Sequence, residues 1–180
     1  MKKLFAMLAA VSFVATAHAQ SESYTQRLKD GSDTVRLLLG SSQGSSNVGV
    51  DYERRAGLSG LGAFILQTGK RSTSTVMVNA RPETWTLGLT APLHLVDHSN
   101  FDVYIAPALT ILGARDVSIN ATTGENKDVV TVGPALKIGT MYYVNSKWSV
   151  GLDFMTLTNW FSDRVSGQQD YANVGIGYTF

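Results

Sequence analysis

Two groups of residues in this sequence are of types that do chemistry. The first is the run Leu93-His94-Leu95-Val96-Asp97-His98-Ser99-Asn100, which holds both histidines found beyond residue 20. Asp97, His98 and Ser99 supply an acid, a base and a hydroxyl, the set from which an activated nucleophile is assembled. Asp-His-Ser-Asn is also what tight turns use, because these short polar side chains hydrogen-bond nearby backbone. A turn is the expectation here, and catalysis at His98 the alternative. His94 and His98 do not suggest a metal site, since on an extended strand they stand about 13 Å apart, too far for one common ion. The second group is five charges, Arg36, Asp51, Glu53, Lys137 and Asp153, each set on a segment of alternating polarity. The chain has no Cys, which excludes disulfides, thiolate metal sites and cysteine nucleophiles.

What positions these residues is read from periodicity. Met1-Lys2-Lys3, the apolar stretch Leu4 to Ala17 and the small-x-small pattern Ala17-His18-Ala19 predict a cleaved signal peptide over residues 1–19 and a mature chain from Gln20. Removing Lys2 and Lys3 leaves thirteen of the fifteen bases against all fourteen acids. A net charge near −1 gives no support to nucleic-acid binding. Beyond the signal no apolar run approaches the ~18 residues of a membrane-spanning helix.

The remainder alternates with a period of two in segments of about ten residues, separated by Gly, Asn, Asp and Ser clusters. Trp85, Leu87, Leu89, Ala91, Leu93 and Leu95 share one face, opposite Thr84, Thr86, Gly88 and Thr90. Phe101, Val103, Ile105, Leu109 and Ile111 oppose Asp102, Tyr104, Ala106, Ala108 and Thr110. Comparable segments run from Val130 to Tyr142, from Trp148 to Phe154 and from Asn173 to Phe180. Less regular ones are placed at Thr34–Ser42, Ser46–Arg54 and Leu58–Gly69, which makes eight. Residues 20–33, with Tyr24, Arg27, Leu28 and Lys29, are left as a periplasmic N-terminal arm, and residues 34–180 form the strand region. The links alternate in length: Arg55–Gly57, Val96–Asn100 and Asn145–Lys147 are tight, whereas Lys70–Pro82, Ala114–Lys127 and Phe161–Asp170 are long and polar. Gln43–Ser45 is short where a long link is expected.

A soluble sandwich also alternates, but its polar face carries many long charged side chains into water. Here the less apolar face is mostly Gly, Ala, Ser and Thr, as in a narrow barrel whose lumen is filled by small side chains. Trp85, Trp148, Trp160, Tyr142 and Tyr178 fall near segment ends, where an aromatic girdle would sit at the membrane boundaries; Tyr52, Phe101 and Phe180 join the periplasmic side of it. The expected fold is therefore all-β, a closed up-and-down antiparallel transmembrane β-barrel of about eight strands. Closure follows from the need to pair every backbone group in hydrocarbon. Arg36 and Asp51 are then expected at similar depth near the periplasmic end, with Glu53 close by, and Lys137 and Asp153 at comparable heights, forming a lumen charge network that plugs the barrel.

The terminal pattern Asn173-x-Gly175-x-x-Tyr178-x-Phe180 resembles the signal by which outer-membrane barrels are recognised by the barrel-assembly machinery. In size, strand count and loop asymmetry the chain resembles the small eight-stranded outer-membrane β-barrel group that includes the transmembrane domain of OmpA, OmpX and the YfaZ-like porin-like proteins. The resemblance implies an architecture and an assembly route in the outer membrane of a Gram-negative bacterial cell envelope, not an activity.

The expectation for function is a monomeric outer-membrane protein with a structural or cell-surface interaction role, without an open pore, cofactor, metal or enzymatic turnover. The alternatives are a narrow solute or ion channel through the lumen charges and a lipid A-modifying enzyme using His98. The expected partners are outer-membrane lipids and lipopolysaccharide; Lys70, Arg71, Arg81, Arg115, Lys127 and Arg164 of the outer links, interspersed with acids, read first as a solvated mixed-charge rim, with contact to lipopolysaccharide phosphates as the alternative.

Overall fold

The computed structural model describes residues 31–70, 82–98, 100–120, 125–161 and 167–180. The expected signal peptide and nearly all of the expected arm lie outside these residues. So do Arg71, Arg81, Ser99 and Arg164.

Nine strand segments form one closed antiparallel sheet: β1 (Ser32–Ser42), β2 (Ser45–Ala56), β3 (Ser59–Thr68), β4 (Thr84–Thr90), β5 (Leu93–His98), β6 (Phe101–Asn120), β7 (Glu125–Tyr143), β8 (Trp148–Thr158) and β9 (Gln168–Thr179). β4 and β5 are two pieces of one wall strand, both pairing with β3 and β6, so the barrel has eight staves. The break falls at Pro92, which has no N–H to give to a ladder. Its carbonyl still accepts from the Gly60 amide at 2.9 Å. β1 pairs with both β2 and β9, which closes the ring.

The register fixes the barrel's geometry. A row of partners through Val103, Thr140, Leu152, Val174, Leu39, Val48, Gln67 and Trp85 starts on β6 and returns to β6 at Gly113, ten residues further along. Such a stagger inclines the strands by roughly 35–45° to the barrel axis and sets the interior at a width that side chains fill.

Short links gather at one end, here called the base, together with the start of β1 and the end of β9. At the base Gly57 holds a positive φ of 67° in the β2–β3 turn. Asn145 caps the β7–β8 link there, its Oδ1 accepting from the amides of Lys147 and Trp148 at 2.9 Å each. The opposite end is the mouth. There β1 and β2 meet in a two-residue turn, with Gln43 at φ 50° and Gly44 at φ 86°, the doubly left-handed conformation that follows the twist of a hairpin.

Where a face is read from the sequence, the described residues of the staves follow it up to the register shifts in β5 and β6. Two expectations are corrected. β1 begins at Ser32 rather than Thr34, so the arm cedes its last residues to the barrel. The polar link read over Ala114–Lys127 is mostly sheet, since β6 runs to Asn120 and β7 begins at Glu125. Ala114 keeps the inward parity, and a bulge between Ala114 and Val117 shifts it by one so that Val117 is buried too; the hairpin thus carries the interior with it beyond the ends of its neighbours.

Candidate functional site

The lumen near the base holds the charged residues. Neighbouring positions on β1 and β2 put Arg36 beside Asp51, and the two form an ion pair. Lys137, reaching from β7 across the lumen, also bonds Asp51 and lies 3.7 Å from Asp153. Arg36 stands 3.5 Å from Asp153 and donates to the Tyr104 hydroxyl at 2.6 Å; that hydroxyl in turn donates to Asp153. Two cations thus face two carboxylates in a cluster with no net charge. All five side chains are buried. Gly139 makes the arrangement fit: it sits between Tyr104 and Asp153 in the sheet, and a Cβ there would run into the ring and the carboxylate.

A second cluster lies nearer the base. His94 Nε2 is 2.7 Å from Glu53 and Nδ1 is 2.7 Å from Asp102, while Arg55 bonds Asp102 at 2.9 Å. With a carboxylate at each ring nitrogen, the geometry suits an imidazole carrying both protons. β3 separates Glu53 from His94 in the wall, and Gly60 and Gly62 leave that stretch of wall bare; a Cβ on Gly60 would come within 2.9 Å of the Glu53 carboxylate. The His94 and Tyr104 rings, 5.8 Å apart, connect the two clusters. Ion pairs this deep persist only when each partner is neutralised and hydrogen-bonded, because burial costs a lone charge its hydration.

The mouth half of the lumen is different. Leu38, Phe64, Leu66, Leu112, Ala114, Val117, Ala135, Met155, Leu157 and Tyr171 form a buried apolar cluster. Its polar anchor is the Tyr171 hydroxyl, bonded to Thr86 and to Gln169 at 2.9 Å each.

Of the sequence-predicted lumen residues, Arg36, Asp51, Lys137 and Asp153 therefore come together in one layer rather than as two separate pairs, and Glu53 goes to the other cluster. Tyr104, His94, Asp102 and Arg55 were not assigned to the network. Their parity was the available signal: His94 continues the face of Thr84 to Thr90, and Asp102 and Tyr104 lie on the inward face of β6. The backbone of His98 pairs with that of Phe101 beside the β5–β6 turn, at the base, where the sequence placed it. The side chains of Asp97 and His98 lie outside the described residues. Among the described residues no group of three His, Asp or Glu is placed to hold a metal ion.

Of the residues expected to form a girdle, Trp148 packs edge-on against Tyr178 at 5.0 Å and Tyr178 lies 6.2 Å from Phe180, all at the base, where Tyr142 stands opposite Phe101. Trp85 and Trp160 are toward the mouth. In the terminal pattern Asn173 and Gly175 point into the lumen, while Phe180 points out and is exposed.

No family model matches the sequence, and no curated protein sequence matches it either. Solved structures do. The N-terminal β-barrel domain of Pseudomonas aeruginosa OprF superposes with a TM-score of 0.63 at 12% identity, over 83% of this chain and 99% of that one. Neisserial surface protein A gives 0.60 at 11% identity, over 83% and 96%. Ail, the attachment invasion locus protein of Yersinia pestis, solved with the heparin analogue sucrose octasulfate, gives 0.53 at 11% identity, over 83% and 99%. At such identities the likeness speaks for the fold alone. With eight antiparallel staves, a filled lumen and an apolar exterior, this chain has the fold of the small eight-stranded outer-membrane β-barrels.

Proposed function

We propose that this protein is exported by a cleaved signal peptide, is assembled as a monomer in the bacterial outer membrane, and serves there as a structural or surface-interaction barrel without an open pore. The observation that carries the reading is the contrast between the two sides of the wall. Leu37, Leu39, Val50, Ile65, Leu89, Leu109, Ile138, Leu152 and Ile176 are exposed on the outside, while Arg36, Asp51, Lys137 and Asp153 are buried inside. An exterior of large aliphatic side chains is stable against lipid tails and not against water. Inside, the Arg36–Asp51–Lys137–Asp153 cluster bridges opposite staves, and the apolar layer above it offers nothing to a hydrated ion.

Reconstitution into planar bilayers tests the closed lumen. The expected trace is flat; steady ohmic steps, altered by Lys137→Ala, would replace this reading with that of a narrow channel. Fractionation of cells, with mass determination of the membrane-bound protein, tests export. The expected species begins at Gln20 and is found in the outer membrane.

A further inference from the structure

The outer face of the barrel is not the same height all round. On β1 only Val35, Leu37 and Leu39 form the apolar exterior, between Asp33 and Ser41. On β2 only Val48, Val50 and Tyr52 do so, between Ser46 and Arg54, and on β3 only Leu61, Ala63 and Ile65, between Ser59 and Gln67. On β6, by contrast, Phe101, Val103, Ile105, Pro107, Leu109 and Ile111 follow without a polar outward residue. Three outward positions cover about 13 Å along a strand and six cover about 33 Å. After tilt only the second matches the ~25 Å apolar band usual for such barrels.

The stagger of ten residues in eight staves allows heights to be compared around the ring. Each step from one stave to the next in the direction β1, β2, β3 raises a row by about one and a quarter residues. Carried round in this way, Ser41, Ser46, Gln67, Thr156 and Asp170 all stand within about two residues of the height of Ile111. At one level, then, β8, β9, β1, β2 and β3 present hydroxyl, amide and carboxylate groups, while β4, β6 and β7 present Leu87, Ile111 and Pro134. The polar side is made of paired groups: Gln168 donates to Asp170 at 3.0 Å and to Thr156 at 3.2 Å. Toward the base the β1–β3 part of that sector is cut short again, whereas Trp148, Tyr178 and Phe180 keep β8 and β9 apolar there. Arg54 and Ser59 stand near the height of Val103, and the Tyr52 hydroxyl donates to Asp33 at 2.6 Å. A barrel that merely leaned in the bilayer would bring the polar limit down at one end of this sector and deepen the apolar surface at the other. Here both ends retreat.

We infer that the bilayer is pinched beside β1, β2 and β3, with lipid head groups and interfacial water drawn in from both leaflets against the short apolar belt, while β4, β6 and β7 meet lipid of ordinary thickness. The surface is a lipid-contacting one, and its partner is the head-group layer. The alternative, a flat bilayer, either sinks Asp170, Ser41 and Gln67 into hydrocarbon or lifts Ile111, Val130 and Trp85 into water. Local thinning costs only a fraction of a kcal/mol per Å of mismatch. The inference rests on the outer-membrane reading above.

The absence of Cys makes the test direct. Ser41→Cys, Asp170→Cys, Ser59→Cys, Ile111→Cys, Val132→Cys and Leu152→Cys are each labelled with an environment-sensitive fluorophore. The labelled proteins are folded into phosphatidylcholine vesicles with eighteen-carbon chains and quenched with iodide. Folding is checked for each by gel mobility before and after boiling. Ser41, Asp170 and Ser59 are expected to be quenched several-fold more strongly than Ile111 and Val132, with Leu152 shielded. Equal quenching of Ser41 and Ile111, whether both strong or both weak, overturns the inference; so does a shielded Ser59 beside a quenched Ser41, the signature of simple tilt. Strong quenching at Leu152 as well would defeat the membrane reading itself, and so is distinguishable from failure of the thinning alone.

Discussion

The two halves of the lumen are held by different forces. Near the base, charge answers charge: Arg36 and Lys137 against Asp51 and Asp153, His94 and Arg55 against Glu53 and Asp102. Near the mouth, Leu38, Leu66, Leu112 and Leu157 pack as they would in the core of a soluble protein. The difference lies in how each half tolerates change. Contacts in the apolar half are many and interchangeable, so loss of one leaves a cavity. In the ionic half each group exists on condition that its partner is there, so loss of one leaves a bare charge.

The largest effect is accordingly expected at Asp51, which both Arg36 and Lys137 address. Asp51→Ala should cost about 3–5 kcal/mol, read from urea unfolding of the protein in vesicles by tryptophan fluorescence. Replacing the whole set, Arg36→Met, Asp51→Leu, Lys137→Met and Asp153→Leu together, should cost less than that single change, because no uncompensated charge is left. If the single variant loses under about 1 kcal/mol, these charges are hydrated and the contrast between the halves collapses.

Leu157→Ala in the apolar half should cost about 2–5 kcal/mol, toward the lower end if the neighbouring Met155 relaxes into the space. The lipid-facing Leu152→Ala should cost less, since lipid refills the gap; the reverse order would mean that the faces of β8 have been exchanged. Gly139→Ala pushes a methyl against the Tyr104 ring and is expected to lose about 1–3 kcal/mol. Its effect should be less than additive with Tyr104→Leu, which makes room for the methyl. The smallest change is Thr86→Val, about 1 kcal/mol, because the Tyr171 hydroxyl keeps its bond to Gln169.

The wall was legible in the sequence because a period of two needs no knowledge of partners: Trp85 to Leu95 announces an outward face wherever its neighbours lie. The contents of the lumen were legible only in part. Parity shows that Arg36, Asp51, Lys137 and Asp153 point inward, yet which of them meet depends on the stagger between staves, and that is a property of the closed ring. Lys137 reaches Asp51 from the far wall, and Glu53 reaches His94 over two bare glycines. No local spacing encodes either contact. The β6–β7 hairpin was misread for the opposite reason. Asn120-Ala121-Thr122-Thr123-Gly124 has turn composition, which drew the boundary inward and hid the buried Ala114 and Val117 that continue the strand.

The seam between β1 and β9 joins residues far apart in the chain: the hydroxyls of Thr34 and Thr179 meet at 2.9 Å across 145 positions. Until that seam forms, each hairpin is a ribbon with one greasy surface and two ragged borders, unable to settle either in water or in lipid. β1 has β2 beside it through a two-residue turn, but its other edge has no partner until β9 arrives, so closure of the ring waits on its longest-range contact.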